Sequence, residues 1–274
     1  MKVFVLDNGR LENDFAQIVN LSGIATADNK NPRSNWIEQP VYSVLIEHPE
    51  GLILFDAACH PEAMSNRWTK ANKNSGPYVI SHKDQLLPET LKKMGISFSD
   101  IRYVVVSHLH EDHAGCLEYF KNSQIIVNDF EFAMTMRLYG LGGEMGAYIK
   151  KDIEAWINAK LDWRLITSKE DNIKLVNRIT ILNFGSGHTF GMLGLLIELE
   201  NTSNIILASD TIFTSTNLGP PIRYPAVVYD SIGYMDTIIR IANLAKEKNA
   251  QIWFGHDKKQ FDTLRKYPNG YYDA

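Results

Sequence analysis

Residues 107–115 read Ser-His-Leu-His-Glu-Asp-His-Ala-Gly, and this stretch decides how the rest of the chain is interpreted. It places four candidate ligands, His108, His110, Asp112 and His113, within six residues. Further imidazoles and carboxylates follow at Gly187-His188, Ser209-Asp210 and Gly255-His256-Asp257. The chain has eight histidines, and five of them belong to this set. Because imidazole and carboxylate are good ligands for zinc and similar metals, a divalent metal centre is the first hypothesis.

Each candidate ligand follows a short apolar run in the sequence. The runs are bounded by Gly, Ser or Asp, which is typical of buried strands. They cover residues 101–106, 179–184, 205–208 and 250–254. Four such strands would present the ligands at one sheet edge from rigid positions, as the geometry of a metal site requires.

The spacing of the first ligands favours two metal ions. Side chains two positions apart in an extended segment point to the same side, so His108 and His110 can share one ion. Asp112 and His113 point elsewhere and can serve a second ion. We expect zinc first, with manganese, iron or cobalt as alternatives, because availability decides among metals that take the same ligands.

Three later residues would complete these two sets. His188 would join the first pair and His256 the second, which leaves each ion open to water. Asp210 has two carboxylate oxygens and could bridge the ions. Two metal ions about 3.5–4 Å apart can hold a shared hydroxide and polarise a carbonyl group.

The remaining histidines and the cysteines have simpler explanations. The isolated histidines are expected at the surface or packed in the core: His48, His60 and His82. Cys116 follows His113 by three residues, but a small packed residue is a simpler interpretation than a ligand. A disulfide between Cys59 and Cys116 is not expected in the cytosol. A catalytic dyad or triad would need fewer than five histidines.

The motifs H-x-H-x-D-H, G-H, S-D and G-H-D, in this order, resemble those of the metallo-β-lactamase superfamily over essentially the whole chain. Residues 3–9, 42–47 and 54–56 resemble its first sheet. Asp56 stands at the aspartate of the family's Asp-Thr-Gly turn, here Asp-Ala-Ala, and the resemblance implies that it supports a ligand imidazole. The implied fold is α/β (α+β), a four-layer αββα sandwich with a dimetal site at the sheet edge.

Within this superfamily the chain is similar to the N-acyl-homoserine lactone lactonases. The similar segments are residues 42–48, 219–221, 228–234, 255–257 and 260–272. The resemblance implies a hydrolase that degrades quorum signals, in which a metal-bound hydroxide attacks the lactone carbonyl. It assigns His108, His110 and His188 to one metal, and Asp112, His113 and His256 to the other. Asp210 would bridge the metals and Asp112 would pass a proton to the leaving group, which makes these two the candidate catalytic carboxylates.

One position departs from the lactonase pattern. Lactonases of this family carry a tyrosine three residues after the bridging aspartate, where its hydroxyl contacts the substrate carbonyl. Here that position is Phe213, which has no donor and is the candidate substrate contact. Loss of one such donor ordinarily weakens transition-state stabilisation by about 2–4 kcal/mol. Phe213 therefore favours an alternative function, hydrolysis of another lactone, ester or thioester, unless Tyr224 or Tyr229 supplies the hydroxyl.

Length and composition predict a single domain over residues 1–274, because 45% of the residues are hydrophobic and no stretch resembles a linker. Residues 129–165 predict a mostly helical insertion, whose Met and aromatic side chains would line an acyl-chain pocket or pack in the core. Residues 114–120 predict a helix directly after the metal motif. Residues 231–248 predict an amphipathic helix. Its apolar face would consist of Met235, Ile238, Ile239, Ala242 and Ala245.

Charge and hydropathy argue against two classes of partner. The net charge is −4 and the pI about 6.1, without a basic stripe, so nucleic acid is not expected as the substrate. No apolar run approaches the ~20 residues that span a membrane, and the N-terminus lacks the pattern of a signal peptide. We therefore expect a cytoplasmic enzyme whose partner is a small-molecule lactone. The family resemblance also suggests a homodimer.

Non-hydrolytic functions agree less well with the sequence. In the diiron redox branch of the superfamily, the second motif position usually carries glutamate and a flavin domain follows. Here that position is His110, and the chain ends soon after the last ligand. A binding protein without catalysis would be expected to lose ligands, and all seven are present. The sequence therefore predicts a metal-dependent hydrolase.

Overall fold

The computed structural model describes residues 1–143 and 145–273, and two β-sheets form its centre. The strands are β1 (Lys2–Asp14), β2 (Trp36–His48), β3 (Gly51–Phe55), β4 (Tyr78–Val79), β5 (Ile101–Val105), β6 (Gln124–Asn128), β7 (Asp162–Ile166), β8 (Asn172–Val176), β9 (Ile179–Gly185), β10 (Met192–Ile197), β11 (Asn204–Ser209), β12 (Ala250–Phe254) and β13 (Tyr272–Asp273). The α-helices are α1 (Lys70–Ser75), α2 (Leu87–Lys93), α3 (Asp129–Leu141), α4 (Lys150–Ala159), α5 (Ser215–Leu218), α6 (Ser231–Glu247) and α7 (Lys258–Thr263).

The two sheets differ in strand direction. The first has the order β13-β1-β2-β3-β5-β6-β7, with β4 also paired to β1. Its half from β3 to β7 is parallel. The second has the order β12-β11-β10-β9-β8 and is antiparallel except for the pair β11–β12. Strands buried on both faces read as continuous apolar runs, as Met-Leu-Gly-Leu-Leu-Ile does in β10.

Three apolar cores separate four layers of secondary structure. Between the sheets, Val44 and Ile126 of the first sheet share a core with Leu195 of the second. Helices α2 and α4 cover the outer face of the first sheet, where Trp156 is buried. Helix α6 covers the outer face of the second sheet with Ile238. The order helix, sheet, sheet, helix confirms the predicted αββα fold.

The four strands that precede the ligands do not share one sheet edge, so that prediction was wrong. β5 lies in the first sheet, whereas β9, β11 and β12 lie in the second. The bounds of these strands agree with the predicted apolar runs to within one residue. Apolar runs indicate buried strands but carry no information on pairing, which explains the error. The ligands therefore meet at strand ends contributed by both sheets.

The segment 129–165 contains α3 and α4, but its last residues belong to β7 of the first sheet. The predicted end of the helical insertion thus falls inside a sheet strand. A short run with Trp163 and Leu165 fits a strand and a helix equally well on periodicity alone.

Helix α6 forms where it was predicted, but its buried face is shifted. Ile238 and Ala245 are buried, whereas Met235 and Ile239 are 38% and 47% exposed. Ala242 is half-buried. Tyr234, Thr237 and Ile241 are the other core residues of this helix. Apolar residues lie around much of the helix, so the sequence pattern admits more than one buried face.

The helix predicted for residues 114–120 is replaced by a 3₁₀ helix, Leu117–Tyr119. The N–H of Gly115 donates to the Ala58 carbonyl at 2.8 Å, and the N–H of Cys116 to the Ala57 carbonyl at 3.1 Å. These bonds attach residues 115 and 116 to a neighbouring segment of the chain. A Cβ at Gly115 would lie 2.3 Å from the backbone nitrogen of His60, so only glycine fits where the two segments approach each other.

The two cysteines are buried and free, and Cys116 Sγ donates to the Cys59 carbonyl at 3.3 Å. Both pack in the core of the first sheet, which was expected for Cys116. Among the residues that the structure describes, no helix combines the length and apolar character needed to cross a membrane.

Candidate metal centre

Loops that follow four strand ends carry the seven predicted ligands. Residues 108–113 follow β5, and His188 follows β9. Asp210 comes directly after β11, and His256 comes two residues after β12. Backbone bonds hold these loops together, since the His256 N–H donates to the Phe213 carbonyl at 2.8 Å. The strands thus fix where each side chain enters the site.

The ligand atoms form three overlapping groups. In each group, one nitrogen or oxygen per residue lies within 4.8 Å of the others. The groups are His108, His110 and His188; His108, His113 and Asp210; and Asp112, His113 and His256. The first and third groups are the two sets that the resemblance implied, and the second group connects them.

Close contacts join the imidazoles and the carboxylates. His110 Nδ1 and His188 Nε2 are 3.2 Å apart. Asp210 Oδ1 lies 3.1 Å from His256 Nε2 and 3.4 Å from His113 Nε2. Asp210 Oδ2 lies 3.7 Å from His188 Nε2. Asp210 therefore reaches both sets, which is the position that a bridging carboxylate needs.

Burial and unpaired nitrogens show that this donor set fits a cation. All seven side chains are buried, with at most 6% exposure. His108 Nε2 and His113 Nε2 have no hydrogen-bond partner among the described residues. Because buried polar atoms are almost always paired, such nitrogens converging with carboxylates need a further explanation. Coordination of divalent cations by imidazole and carboxylate supplies it.

Protein acceptors fix the outward-facing nitrogen of two ligand imidazoles. His188 Nδ1 lies 2.8 Å from the Val227 carbonyl, and His256 Nδ1 lies 3.0 Å from the Pro40 carbonyl. A carbonyl oxygen only accepts, so each Nδ1 carries a proton. In the neutral tautomer, Nε2 then directs its lone pair into the site.

Asp56 lies beneath the centre and contacts one of the ligands. Its Oδ1 accepts the Ser107 N–H at 2.7 Å. Its Oδ2 accepts the Ser107 hydroxyl and His113 Nδ1–H, each at 2.9 Å. The Ser209 hydroxyl donates to Ser107 Oγ at 2.9 Å. A carboxylate that accepts from the outer nitrogen of a ligand imidazole orients that ring, and Asp56 makes this contact with His113.

Burial keeps the imidazoles of the first set neutral. It lowers the pKa of His108 and His188, and it lowers the pKa of His110 to about 3. At neutral pH these three rings therefore carry no extra proton and can offer a lone pair to a cation.

The two carboxylates remain ionised despite their burial. Burial raises the pKa of Asp210, but the charges of His256 and His113 outweigh it and hold the pKa well below its usual range. Burial also raises the pKa of Asp112, but the charge of His113 and the smaller effect of His256 outweigh it and lower the pKa. Two buried negative charges at one point are stable only with positive charge beside them, as a metal centre provides.

Phe213 lies between two of the ligand imidazoles. Its ring centroid is 4.9 Å from that of His188, edge to face, and 5.5 Å from that of His256. The ring is buried and packs with Ile18 and Val19. Phe213 thus forms an apolar wall directly against the centre.

The two tyrosines considered as substitutes for the missing hydroxyl pack against other aromatic side chains. Tyr224 lies 5.5 Å from Tyr234, and Tyr229 lies 4.6 Å from Phe190, measured between ring centroids. That either hydroxyl reaches a substrate stays a prediction.

The isolated histidines lie outside the three ligand groups, as expected. His48 Nε2 lies 3.0 Å from the Asn177 carbonyl, and His82 is exposed. His60 is buried and lies within hydrogen-bond distance of Glu118.

Several residues around the ligands were not predicted. Ser107 and Ser209 directly precede ligands, so their position in the motifs was an available signal. Glu131 and Tyr148 lie in the segment interpreted as an insertion. Glu131 contacts the loop of the first ligands, and the Tyr148 ring packs on His110 at 4.7 Å. Nothing in their local sequence indicates these long-range contacts.

Known proteins resemble this chain in sequence and in structure. The model of the Metallo-beta-lactamase superfamily matches residues 36–159. The N-acyl homoserine lactonase AiiB of Agrobacterium fabrum is 40% identical over 274 residues, which covers 99% of each chain. A crystal structure of a B. thuringiensis AiiA mutant, with N-decanoyl-L-homoserine bound at the active site, has a TM-score of 0.81 at 25% identity and covers 98% of each chain. A structure of the quorum-quenching N-acyl homoserine lactone hydrolase has a TM-score of 0.79 at 25% identity, over 98% of this chain and 97% of that one. The chain therefore belongs to the N-acyl homoserine lactonase family of the metallo-beta-lactamase superfamily.

Proposed function

We propose that this chain is a metal-dependent hydrolase that opens the ring of N-acyl-homoserine lactones and so degrades quorum signals. The observation that carries this proposal is the buried cluster of five imidazoles and two carboxylates, in which two imidazole nitrogens have no hydrogen-bond partner among the described residues. The substrate is supported by the relatives, one named an N-acyl homoserine lactonase and another binding N-decanoyl-L-homoserine.

The proposed centre holds two divalent cations. His108, His110 and His188 would bind one, Asp112, His113 and His256 the other, and Asp210 would bridge them. Zinc is the first candidate, with manganese, iron or cobalt as alternatives. Bound cations would polarise the lactone carbonyl and lower the pKa of water.

The two carboxylates have separate proposed roles in ring opening. Hydrolysis joins the oxygen of water to the carbonyl carbon and breaks the ring C–O bond, so the leaving alkoxide must gain a proton. Asp112 is ionised, and its Oδ2 lies 3.3 Å from His113 Nε2 and 3.4 Å from His256 Nε2. It would take a proton from water and deliver it to the alkoxide. Asp210 would fix the separation of the two ligand sets.

Phe213 would contact the substrate through its apolar ring and exclude water from one side of the centre. Its lack of a hydroxyl supports a second candidate function, hydrolysis of another lactone, ester or thioester. The two candidates share the metal centre and differ only in substrate.

Acid release by the metal-replete protein distinguishes the two candidate functions, because each hydrolysis frees a carboxylic acid that a pH indicator detects. The panel contains N-acyl-homoserine lactones of several chain lengths, simple lactones, esters and a thioester, each also with chelated protein. We expect chelator-sensitive opening of the acyl-homoserine lactones. Turnover of another ester, with none of these lactones, would support the second candidate and contradict the first.

A homodimer and a cytoplasmic location belong to the same proposal, and the family resemblance supports the first of them. Sedimentation equilibrium of the purified protein tests the first, and fractionation of cells that produce it tests the second. A monomer at micromolar concentration would contradict the dimer.

A further inference from the structure

Glu131 is a fully buried carboxylate next to the centre that is not one of its predicted ligands. It lies in the first turn of α3, whose N-cap residue is Asn128. The Asn128 side chain accepts the N–H of Phe130 at 2.9 Å and the N–H of Glu131 at 3.2 Å. The start of α3 is therefore fixed, and with it the point from which the carboxylate extends.

The carboxylate of Glu131 accepts hydrogen bonds from three separate segments. Oε1 accepts the N–H of Leu109 at 2.9 Å and the hydroxyl of Tyr148 at 3.0 Å. Oε2 accepts the N–H of Gly191 at 3.2 Å. Leu109 lies between His108 and His110 in the chain. The carboxylate thus contacts the backbone of the loop that presents the first two ligands.

The third segment belongs to the loop that carries His188. Gly191 follows that histidine by three residues. A Cβ at Gly191 would lie 1.9 Å from Asn128 Oδ1, so the loop packs directly on the start of α3. Asn128 Nδ2 also donates to Asn183 Oδ1 on β9 at 3.0 Å. The His188 loop is therefore held against the same helix end from which Glu131 extends.

Tyr148 adds a contact to a ligand ring itself. Its ring centroid lies 4.7 Å from that of His110, and its hydroxyl donates to Glu131. The side chain is buried. Movement of the Glu131 carboxylate would therefore release both the backbone beside His110 and the ring that packs on it.

We infer that Glu131 is a positioning residue, which holds the His110 loop and the His188 loop at the separation that one cation requires. Burial of a carboxylate is unfavourable unless several donors compensate, and here the donors come from both ligand loops and Tyr148. Outer groups of this kind commonly change metal affinity by about 10- to 100-fold. The inference rests on the proposed metal centre but not on the identity of the substrate.

The test compares Glu131→Gln with the wild type in competition between the apoprotein and a chelator for Zn²⁺. Glutamine retains one acceptor oxygen but presents an NH₂ group to one of the N–H donors, so one loop loses its bond. We expect the Zn²⁺ affinity of the set His108, His110 and His188 to fall by about 10- to 100-fold, seen as one of the two binding steps. Lactone turnover should show a lower kcat with little change in KM, because the Glu131 carboxylate is bonded to the two ligand loops and to Tyr148.

Tyr148→Phe is the second variant, since it removes only one of the three donors and leaves the packing on His110. We expect a smaller loss of Zn²⁺ affinity than for Glu131→Gln. Asp152→Asn is the matched control, because Asp152 is equally buried but pairs with Arg67 at 3.2 Å instead of the ligand loops. The control should bind Zn²⁺ within about twofold of the wild type.

Two outcomes would overturn the inference: a folded Glu131→Gln protein with wild-type Zn²⁺ affinity, or an equal loss in the Asp152→Asn control. The absorption spectrum of the Co²⁺-loaded variant adds a readout of ligand geometry, which a purely stabilising residue would leave unchanged. Wild-type protein that binds two Zn²⁺ ions without hydrolysing any lactone would contradict the proposed function only. Wild-type protein that binds no Zn²⁺ would contradict both.

Discussion

The Asp56→Asn substitution tests a residue that supports a ligand imidazole, and it leaves all seven ligands unchanged. The native residue has a φ of 61°, a left-handed conformation that asparagine also tolerates, and the two side chains are almost the same size. The substitution therefore leaves the backbone and the packing in place. It changes only the charge and one of the two acceptor oxygens.

The expected magnitude follows from the donors around this carboxylate. Asp56 accepts the Ser107 N–H at 2.7 Å and His113 Nδ1–H at 2.9 Å on different oxygens. The NH₂ of the asparagine amide must face one of these donors, and an NH₂ group cannot accept a hydrogen bond. A buried donor without a partner costs about 1–3 kcal/mol, and a bond to a charged group contributes about 1.5–3 kcal/mol. We expect the free energy of unfolding of the apoprotein to fall by about 2–4 kcal/mol.

The same substitution should weaken metal binding. If the amide faces His113, the imidazole loses the acceptor that fixes its tautomer, and Zn²⁺ affinity should fall by about 10- to 100-fold. Urea unfolding of the apoprotein and chelator competition measure the two effects. Asp84→Asn, which removes an exposed partner of Lys93, is the control and should change neither. Unchanged Zn²⁺ affinity in a folded Asp56→Asn protein would refute the reasoning.

Three further changes test other parts of the structure. Phe213→Tyr should raise kcat/KM for acyl-homoserine lactones by up to about 100-fold if the site lacks a hydroxyl donor. Unchanged kinetics would show that the ring at this position contributes apolar contact alone. Gly255→Ala places a Cβ 2.4 Å from Asp210 Oδ1, so kcat should fall by about 100-fold; near-normal kcat would show that the carboxylate can shift. Burial raises the pKa of Asp152 to about 8 despite the opposing charge of Arg67, so the folded apoprotein holds this proton to higher pH than the unfolded chain. The free energy of unfolding of the apoprotein, measured with urea, should therefore fall as pH rises from about 4 to about 8. Asp152→Asn should flatten this pH dependence. An equal slope in the variant and the wild type would contradict the assignment to Asp152.

The ligand positions could be predicted from the sequence because each ligand motif follows an apolar strand and its first ligand stands beside a glycine or serine. Such a pattern depends on neighbouring residues and not on contacts between distant segments. The structure brings the ligand atoms together within 4.8 Å in each group. The role of Asp56 came from the family resemblance, and its contact with His113 is the geometry that such a role needs. That these side chains bind metal remains the proposal to be tested.

Other features depend on contacts between distant segments, which local patterns do not encode. The ligand strands come from two sheets because strand pairing is decided by the whole chain. The buried face of α6 was misjudged because Tyr234 enters the core while Ile239 remains 47% exposed. Glu131 was missed because a charged residue in a helical segment ordinarily faces solvent. The N–H groups of Leu109 and Gly191 and the hydroxyl of Tyr148, all from distant parts of the chain, make its burial favourable.

The measurement that tests the central claim most directly is a metal titration of the chelated apoprotein, followed by opening of an acyl-homoserine lactone. Two ions should share one centre, so activity should rise with added Zn²⁺ and level off at about two equivalents per chain. His110→Ala should not recover under the same conditions, although it should remain folded. Full activity before any metal is added would contradict the account, as would saturation at a single equivalent.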